Sequence, residues 1–322
     1  MIPYRFFILL VALLLPCKIF SNARYQQACS EIVNMLEEKQ PLSIKRAVYI
    51  AEWAYLQGEL DYTTYCNEVV RIASYVNRFI DKNGLMQYQT GKQMAICEYF
   101  FNPWSGNNYT PYTYDFGDDY PDEDWHYMLV SRVLDTHKGR CRSLPWTMMI
   151  IAEELDAEMY LAYAPNHVYI MYPNLDNHYP EKWVNVEVTS QQLVPAFWIK
   201  EHFEIPDSAV HVGTYMQHLT KKQIVARQLA DLAFSYCQQT GKYDSFTYKC
   251  ADASLRYYPM NPNAILIKMN SVKALLVQHL EETNYQRDYL ADSLNHAYMT
   301  CEKQLQQTHF VIPDDNKYIT YK

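Results

Sequence analysis

Glycine is scarce, with 8 in 322 residues, where average usage of about 7% gives roughly 22. A turn-dense all-β fold needs more, so the shortage points to a largely helical chain. No Lys/Arg cluster stands out, and 36 acidic against 28 basic residues give a formal net charge of -8. That argues against nucleic acid or anionic lipid as a partner. Neither a CxxC pair nor an HExxH motif occurs, which leaves a structural zinc or a thermolysin-like centre without support. What is present is ordinary for a globular protein: 49% apolar and 20% charged residues, with tyrosine heavy at 30.

The N-terminus reads as a secretory leader. Arg5 precedes an apolar run at residues 6–15, and Ser21 and Ala23 stand at -3 and -1 of a cut after Ala23. The run is short of the roughly 20 residues that span a bilayer. Cys17 offers a lipoprotein alternative, but Pro16 directly before it makes a poor processing site. The expectation is an exported, acidic protein, periplasmic or secreted, with no membrane span. Cleavage leaves Cys29, Cys66, Cys97, Cys141, Cys237, Cys250 and Cys301, an odd set with at least one free thiol or a bond between chains. Most read as small buried hydrophobes; a Cys237–Cys250 bridge within one helical hairpin is the alternative.

Patterning divides the rest into three. Residues 24–101 are helical: Ile44, Val48, Ala51 and Tyr55 form one stripe behind a Ser43 cap, and Tyr65, Val69, Ile72, Val76 and Phe79 another, ending at Asn83-Gly84. The turn at 57–61 predicts that these two helices form an antiparallel pair. Residues 102–124 hold three prolines, six acidic residues and six aromatics, a long ordered loop able to cover a cleft or simply anchored to the body. Residues 102–215 combine this loop with a mixed core: helices at 125–135 and before Leu155, then strands at 159–163, 167–172 and 182–188. The fold class is therefore α+β, a helix packed on a small antiparallel sheet. Residues 216–322 return to helices, in a helix–Gly-x-Tyr–helix–Pro unit of about 34 residues that resembles the tetratricopeptide repeat.

The residues that could carry chemistry are Cys141, His167 and Glu187. Cys141 follows Gly139 at a predicted helix start, since Pro145 is tolerated only in a first turn. The helix dipole and the flanking Arg140 and Arg142 favour its thiolate form. His167 opens one strand and Glu187 lies on the next. In the latter strand Trp183, Asn185 and Glu187 share a face opposite Val184, Val186 and Val188. Adjacent antiparallel strands bring such side chains within reach, so a Cys–His–carboxylate line is geometrically reasonable.

The segments G-R-C-R-S-L-P at 139–145, P-N-H-V-Y-I at 165–170 and W-V-N-V-E-V-T at 183–189 together resemble the transglutaminase-like, papain-like superfamily. There the nucleophile follows a glycine at a helix start, the histidine begins a strand, and the acid sits in a W-x-x-x-D-x-T strand. Trp183, Glu187 and Thr189 match those slots, with Glu in place of the commoner Asp. The resemblance spans residues 125–200 and implies thiol-dependent acyl transfer on amide bonds of a peptide or protein, with hydrolysis favoured over crosslinking and no cofactor or metal. It also implies an oxyanion site made by the Cys141 N–H and an upstream side chain, for which Trp125 and His126 are candidates. Those two residues and Trp104 are the substrate-binding candidates. Two other readings stand beside it. One is a catalytically retired core, a scaffold that binds a peptide or cell-wall component with its helical tail as the partner surface. The other is a metal site of Cys141, His137 and His167.

Overall fold

The computed structural model describes residues 22–117 and 124–311. Of the leader features, Arg5, the apolar run, Cys17 and Ser21 lie outside the described residues, while Ala23 falls in the first turn of the first helix. Residues 118–123 of the acidic loop also lie outside them. Helix α1 spans residues 22–36 and buries Tyr25, Cys29 and Ile32.

Helix α2 (Ile44–Tyr55) starts where the Ser43 hydroxyl accepts from the Arg46 N–H. Helix α3 (Tyr62–Asn83) starts on the Asp61 carboxylate and stops at Gly84, whose φ of 62° is left-handed. The predicted antiparallel pairing of α2 with α3 does not form. They meet near their shared turn, where Tyr49 touches Tyr62 and Tyr65, while α2 lies mainly on a later helix and α3 on α4 (Gly91–Phe101). The reason is α6 (Ser143–Glu154), which packs against all three. Its residues from Ser143 to Ala152 are all buried, so the single apolar stripe expected of it is instead an apolar surface on every side, and it takes the faces that α2 and α3 would have shown each other.

Two short strands, β1 (Thr113–Tyr114) and β2 (Lys138–Gly139), pair in parallel. A 3-10 turn (Trp125–Met128) and α5 (Val130–Thr136) replace the one helix expected at 125–135. The main sheet is antiparallel in the order β3 (Tyr160–Ala164), β4 (His167–Pro173), β5 (Trp183–Glu187), β6 (Gln192–Val194). One face sends Val168, Ile170, Tyr172, Val184, Val186 and Val188 into the core around α6. The other buries Tyr169 and Met171 against Ile199, Phe203, Ile205 and Ala209, carried by α7 (Ala196–His202), α8 (Asp207–His211) and the turn between them. The chain is thus mostly helical with a small antiparallel sheet, an α+β architecture.

The C-terminal part is α9 (Lys221–Thr240), α10 (Ser245–Tyr257), α11 (Pro262–Glu282) and α12 (Tyr289–Gln307), each packed on the next. Capping explains the breaks: Gly241 is left-handed at φ 68°, Asp244 accepts from the Phe246 and Thr247 amides, and Asn261-Pro262 opens α11. Helix α9 also carries the main packing partner of α2. One continuous apolar core therefore runs from Tyr25 through α6 and the sheet to Ile267. Among the described residues no helix is long and apolar enough to cross a membrane.

The seven described cysteines are all thiols. Cys250 faces Cys29 of α1, and the Cys237 thiol turns to the Lys242 carbonyl at 3.1 Å, so the hairpin bridge considered from spacing does not form.

Candidate active site

Cys141 is held in place by the segment before it. Thr113 and Asp115 donate to the His137 and Gly139 carbonyls at 2.9 and 2.8 Å, tying the aromatic loop to β2. Gly139 leaves no room for a side chain: a Cβ there would stand 2.6 Å from Val133 Cγ2 and 2.8 Å from Ser143 Oγ. Cys141 sits in the turn just ahead of α6, not within the helix, and is half-buried. Its Sγ lies 3.7 Å from the Asn166 carbonyl.

His167 opens β4 and Glu187 ends β5, both on the face toward α7. Their side chains are 10% and 3% exposed, and Nε2 donates to Glu187 Oε2 at 2.6 Å. The other carboxylate oxygen accepts from Thr189 N at 3.0 Å and Thr189 Oγ1 at 2.5 Å. With Nε2 committed to the carboxylate, Nδ1 is the ring nitrogen left over, and Cys141 is near enough to act on the charge of the imidazole. Burial disfavours the imidazolium, but Cys141 and Glu187 outweigh burial and raise the His167 pKa to about 9. Burial likewise opposes the Glu187 charge, yet His167 and Thr189 hold that carboxyl below its ordinary range. The imidazole also stacks on Phe203, ring centroids 4.4 Å apart and planes 19° from parallel.

The registry explains the acid. Ile170 pairs with Val186, and one step further the same register sets Tyr169, not His167, opposite Glu187. His167 is therefore the diagonal neighbour, a longer reach than the direct pair, and glutamate supplies the extra methylene.

Cys141 and His167 open on a cavity of about 520 Å³ bounded on its far side by α9 and α11. Trp125 lines it, with its ring against Phe234 at 5.2 Å and beneath the Arg142 guanidinium at 5.1 Å. Arg142 itself donates Nε and Nη2 to Asp231 Oδ2 at 3.2 and 2.9 Å, so the residue after Cys141 is gripped by α9. Arg227, one turn before Asp231, donates Nε to the other carboxylate oxygen at 3.3 Å.

The remaining candidates lie apart. His126 does not line this cavity; its Nδ1 is 2.6 Å from Asp124 Oδ1 and its ring meets the edge of Tyr55. Trp104 packs among Tyr75, Phe79 and Tyr99, over Gly106, on the α3–α4 side of the protein. Arg140 stacks on Tyr127 at 4.0 Å. His137 stacks on Tyr112 and its Nδ1 lies 2.8 Å from the Thr110 carbonyl, so it does not join Cys141 and His167. Among the described residues no group of three His, Cys, Asp or Glu side chains is placed to hold a metal ion. Sequence reasoning missed Arg227, Asp231 and Phe203. The first two had a signal: opposite charges four apart within the run Ile224–Ala233, which is otherwise apolar except for Gln228.

No protein-family model matches the chain, and no curated protein does. One solved structure, described as the crystal structure of menin revealing the binding site for Mixed Lineage Leukemia protein, is similar over 88% of this chain and 74% of that one. The TM-score is 0.34 and the identity 11%, a likeness too low to bear on fold or site.

Proposed function

We propose that Cys141, His167 and Glu187 are the catalytic triad of a transglutaminase-like core that performs thiol-dependent acyl transfer on amide bonds, ending in hydrolysis. The observation that carries this reading is the buried His167 imidazole, hydrogen-bonded to the Glu187 carboxylate and sharing the mouth of one cavity with the Cys141 thiol. In the acylation step the Cys141 sulfur, its proton held on His167 Nδ1, bonds the amide carbon. The C–N bond then breaks as Nδ1 returns its proton to the leaving amine, which leaves a thioester. Water attacks that thioester, giving its proton through Nδ1 to the departing sulfur, and the acid is released with Cys141 restored. Glu187 fixes the ring orientation and supports its charge throughout. Trp125 lines the cavity beside Cys141 and is the substrate contact among the residues named from sequence.

Water is favoured over a lysine amine as the second acceptor because the cavity is lined by Arg142 and Arg227 against one carboxylate, Asp231. An approaching ammonium meets that excess positive charge. The helices α9–α12 act in this reading as a tetratricopeptide-like region that presents the peptide or protein substrate.

The test is site-resolved alkylation of Cys141, followed by mass spectrometry, below a pH of about 7, where an ordinary thiol of pKa about 8.5 is almost wholly protonated. Cys141 is expected to outpace the other cysteines, and His167→Ala to slow it on the order of 10²-fold with the fold intact. A Cys141 that is inert in both proteins, or equally reactive in both, points instead to a retired core serving as a binding scaffold.

A further inference from the structure

The cavity beside Cys141 has a polar anchor that the triad does not use. Arg227 on α9 is 8% exposed and lines it. Its guanidinium carries five N–H donors. Nε is spent on Asp231 at 3.3 Å and one Nη1 hydrogen on Asn261 Oδ1 at 3.4 Å, while Nη2 has no acceptor among the described residues. The face of the group rests on the Tyr163 ring at 4.7 Å.

The charge count is equally uneven. Two guanidiniums share the single Asp231 carboxylate, which also accepts from Gln228 at 3.3 Å. Glu52 acts on Arg142 from α2, but it accepts from the Val130 and Ser131 amides and burial raises its pKa, which weakens it as a counter-charge. His167 and Glu187 compensate each other. Among the described residues one positive charge is therefore left over at this buried position, and an uncompensated buried guanidinium is costly unless a partner arrives. The partner that suits the three remaining N–H groups, one on Nη1 and two on Nη2, is a carboxylate, which takes one from each nitrogen. Trp125, Phe234, Tyr243 and Leu266 also line the cavity, a mainly apolar and aromatic stretch of wall that suits an apolar or aromatic body.

We propose that this cavity binds a free carboxylate of the substrate on Arg227, with the aromatic wall taking the apolar residue that bears it, so that the preferred substrates are short peptides with a free C-terminal carboxylate. As a substrate site this rests on the acyl-transfer reading above; as a binding site it does not.

The experiment uses the full chain with Cys141→Ala, which prevents turnover, and compares N-acetylphenylalanine with N-acetylphenylalanine amide by titration calorimetry. The acid is expected to bind at least about tenfold more tightly than the amide, a gap of about 1.4 kcal/mol. Arg227→Gln should abolish that preference. Arg227→Lys, which keeps the charge but not the fork, should reduce it and serves if the glutamine variant fails to fold. Equal binding of acid and amide, binding of neither, or a preference that survives the Arg227 substitutions would overturn the proposal. An acid preference with an unreactive Cys141 leaves the site standing without the chemistry. A reactive, His167-dependent Cys141 with no acid preference does the reverse.

Discussion

Replacing Glu187 by Gln tests the triad while leaving its shape almost unchanged. Two consequences can be sized. First, the carboxylate lies 2.6 Å from His167 Nε2 and helps raise that imidazole from 6.5 to about 9 against the opposing effect of burial. An opposite charge at such a distance typically moves a pKa by about 1–3 units, so its removal should lower the His167 midpoint by about 1–2 units. Because the folded-state pKa is raised, the stability contributed by the charged imidazole is fully present below pH 6.5 and is lost as pH rises through about 9. In Glu187→Gln that loss moves to lower pH, and so does the alkaline limb of acylation, which needs the imidazolium proton for the leaving amine. Second, the carboxylate accepts from Thr189 on one oxygen and His167 on the other. An amide can accept on one side only, so a buried donor loses its partner at a cost of about 1–3 kcal/mol. Imidazole nitrogen NMR across pH, read as the midpoint of the coupled triad, checks the first consequence, and urea unfolding checks the second. A His167 midpoint unchanged to within about 0.3 units would refute the electrostatic argument, since the shift expected from losing a neighbouring charge is several times larger.

Glu187→Asp should behave almost as badly as Gln despite keeping the charge, because the shorter side chain cannot span the diagonal from β5 to His167. A misplacement of about 1 Å is worth on the order of 10²-fold in rate, read as Cys141 alkylation or turnover. Phe203→Leu removes the ring stacked on His167, and should cost about 0.5–1.5 kcal/mol. It should also lower the reactivity of Cys141 without changing that of the other cysteines, an effect that simple loss of core packing would not produce. Gly139→Ala should destabilise by about 1–3 kcal/mol, because its Cβ would press on Val133 and Ser143. The signature is a lower urea midpoint at unchanged slope.

The periodic parts of the fold were legible for a physical reason: where one face of an element is buried, the sequence must alternate. The strands at Tyr160–Ala164, His167–Pro173 and Trp183–Glu187 fall within a residue or two of the apolar runs that predict them. So do the stripes of α2 and α3 and the hairpin broken at Gly241. What stayed hidden was pairing at a distance. The strand Gln192–Val194 is three residues long and mostly exposed, so no alternation marks it. The turn at 57–61 announced a hairpin, yet α6, apolar on all sides, came between the two helices it joins. At the site, Cys141, His167 and Glu187 were readable as residue types in order along the chain. Trp104 and His126 were chosen for chemistry alone, and their surroundings turned out to be an aromatic cluster and the Asp124–Tyr55 contact.

The same limit explains why the C-terminal helices looked separable from the core. Their turn residues and caps describe a self-contained stack, and nothing local in them refers to Cys141. The link is a charge pair: Arg142, next to Cys141, reaches Asp231 on α9, and the partner of each is visible only once the chain is folded. Since α9 also packs on α2, it holds both the N-terminal helices and the turn that carries the thiol. It supplies Ala230, Phe234 and Arg227 to the cavity as well. A truncation before Lys221 would therefore expose the core face of α2, release Arg142 and open the cavity together. For that reason the environment of Cys141 depends on the C-terminal helices as well as on the segment of residues 125–200.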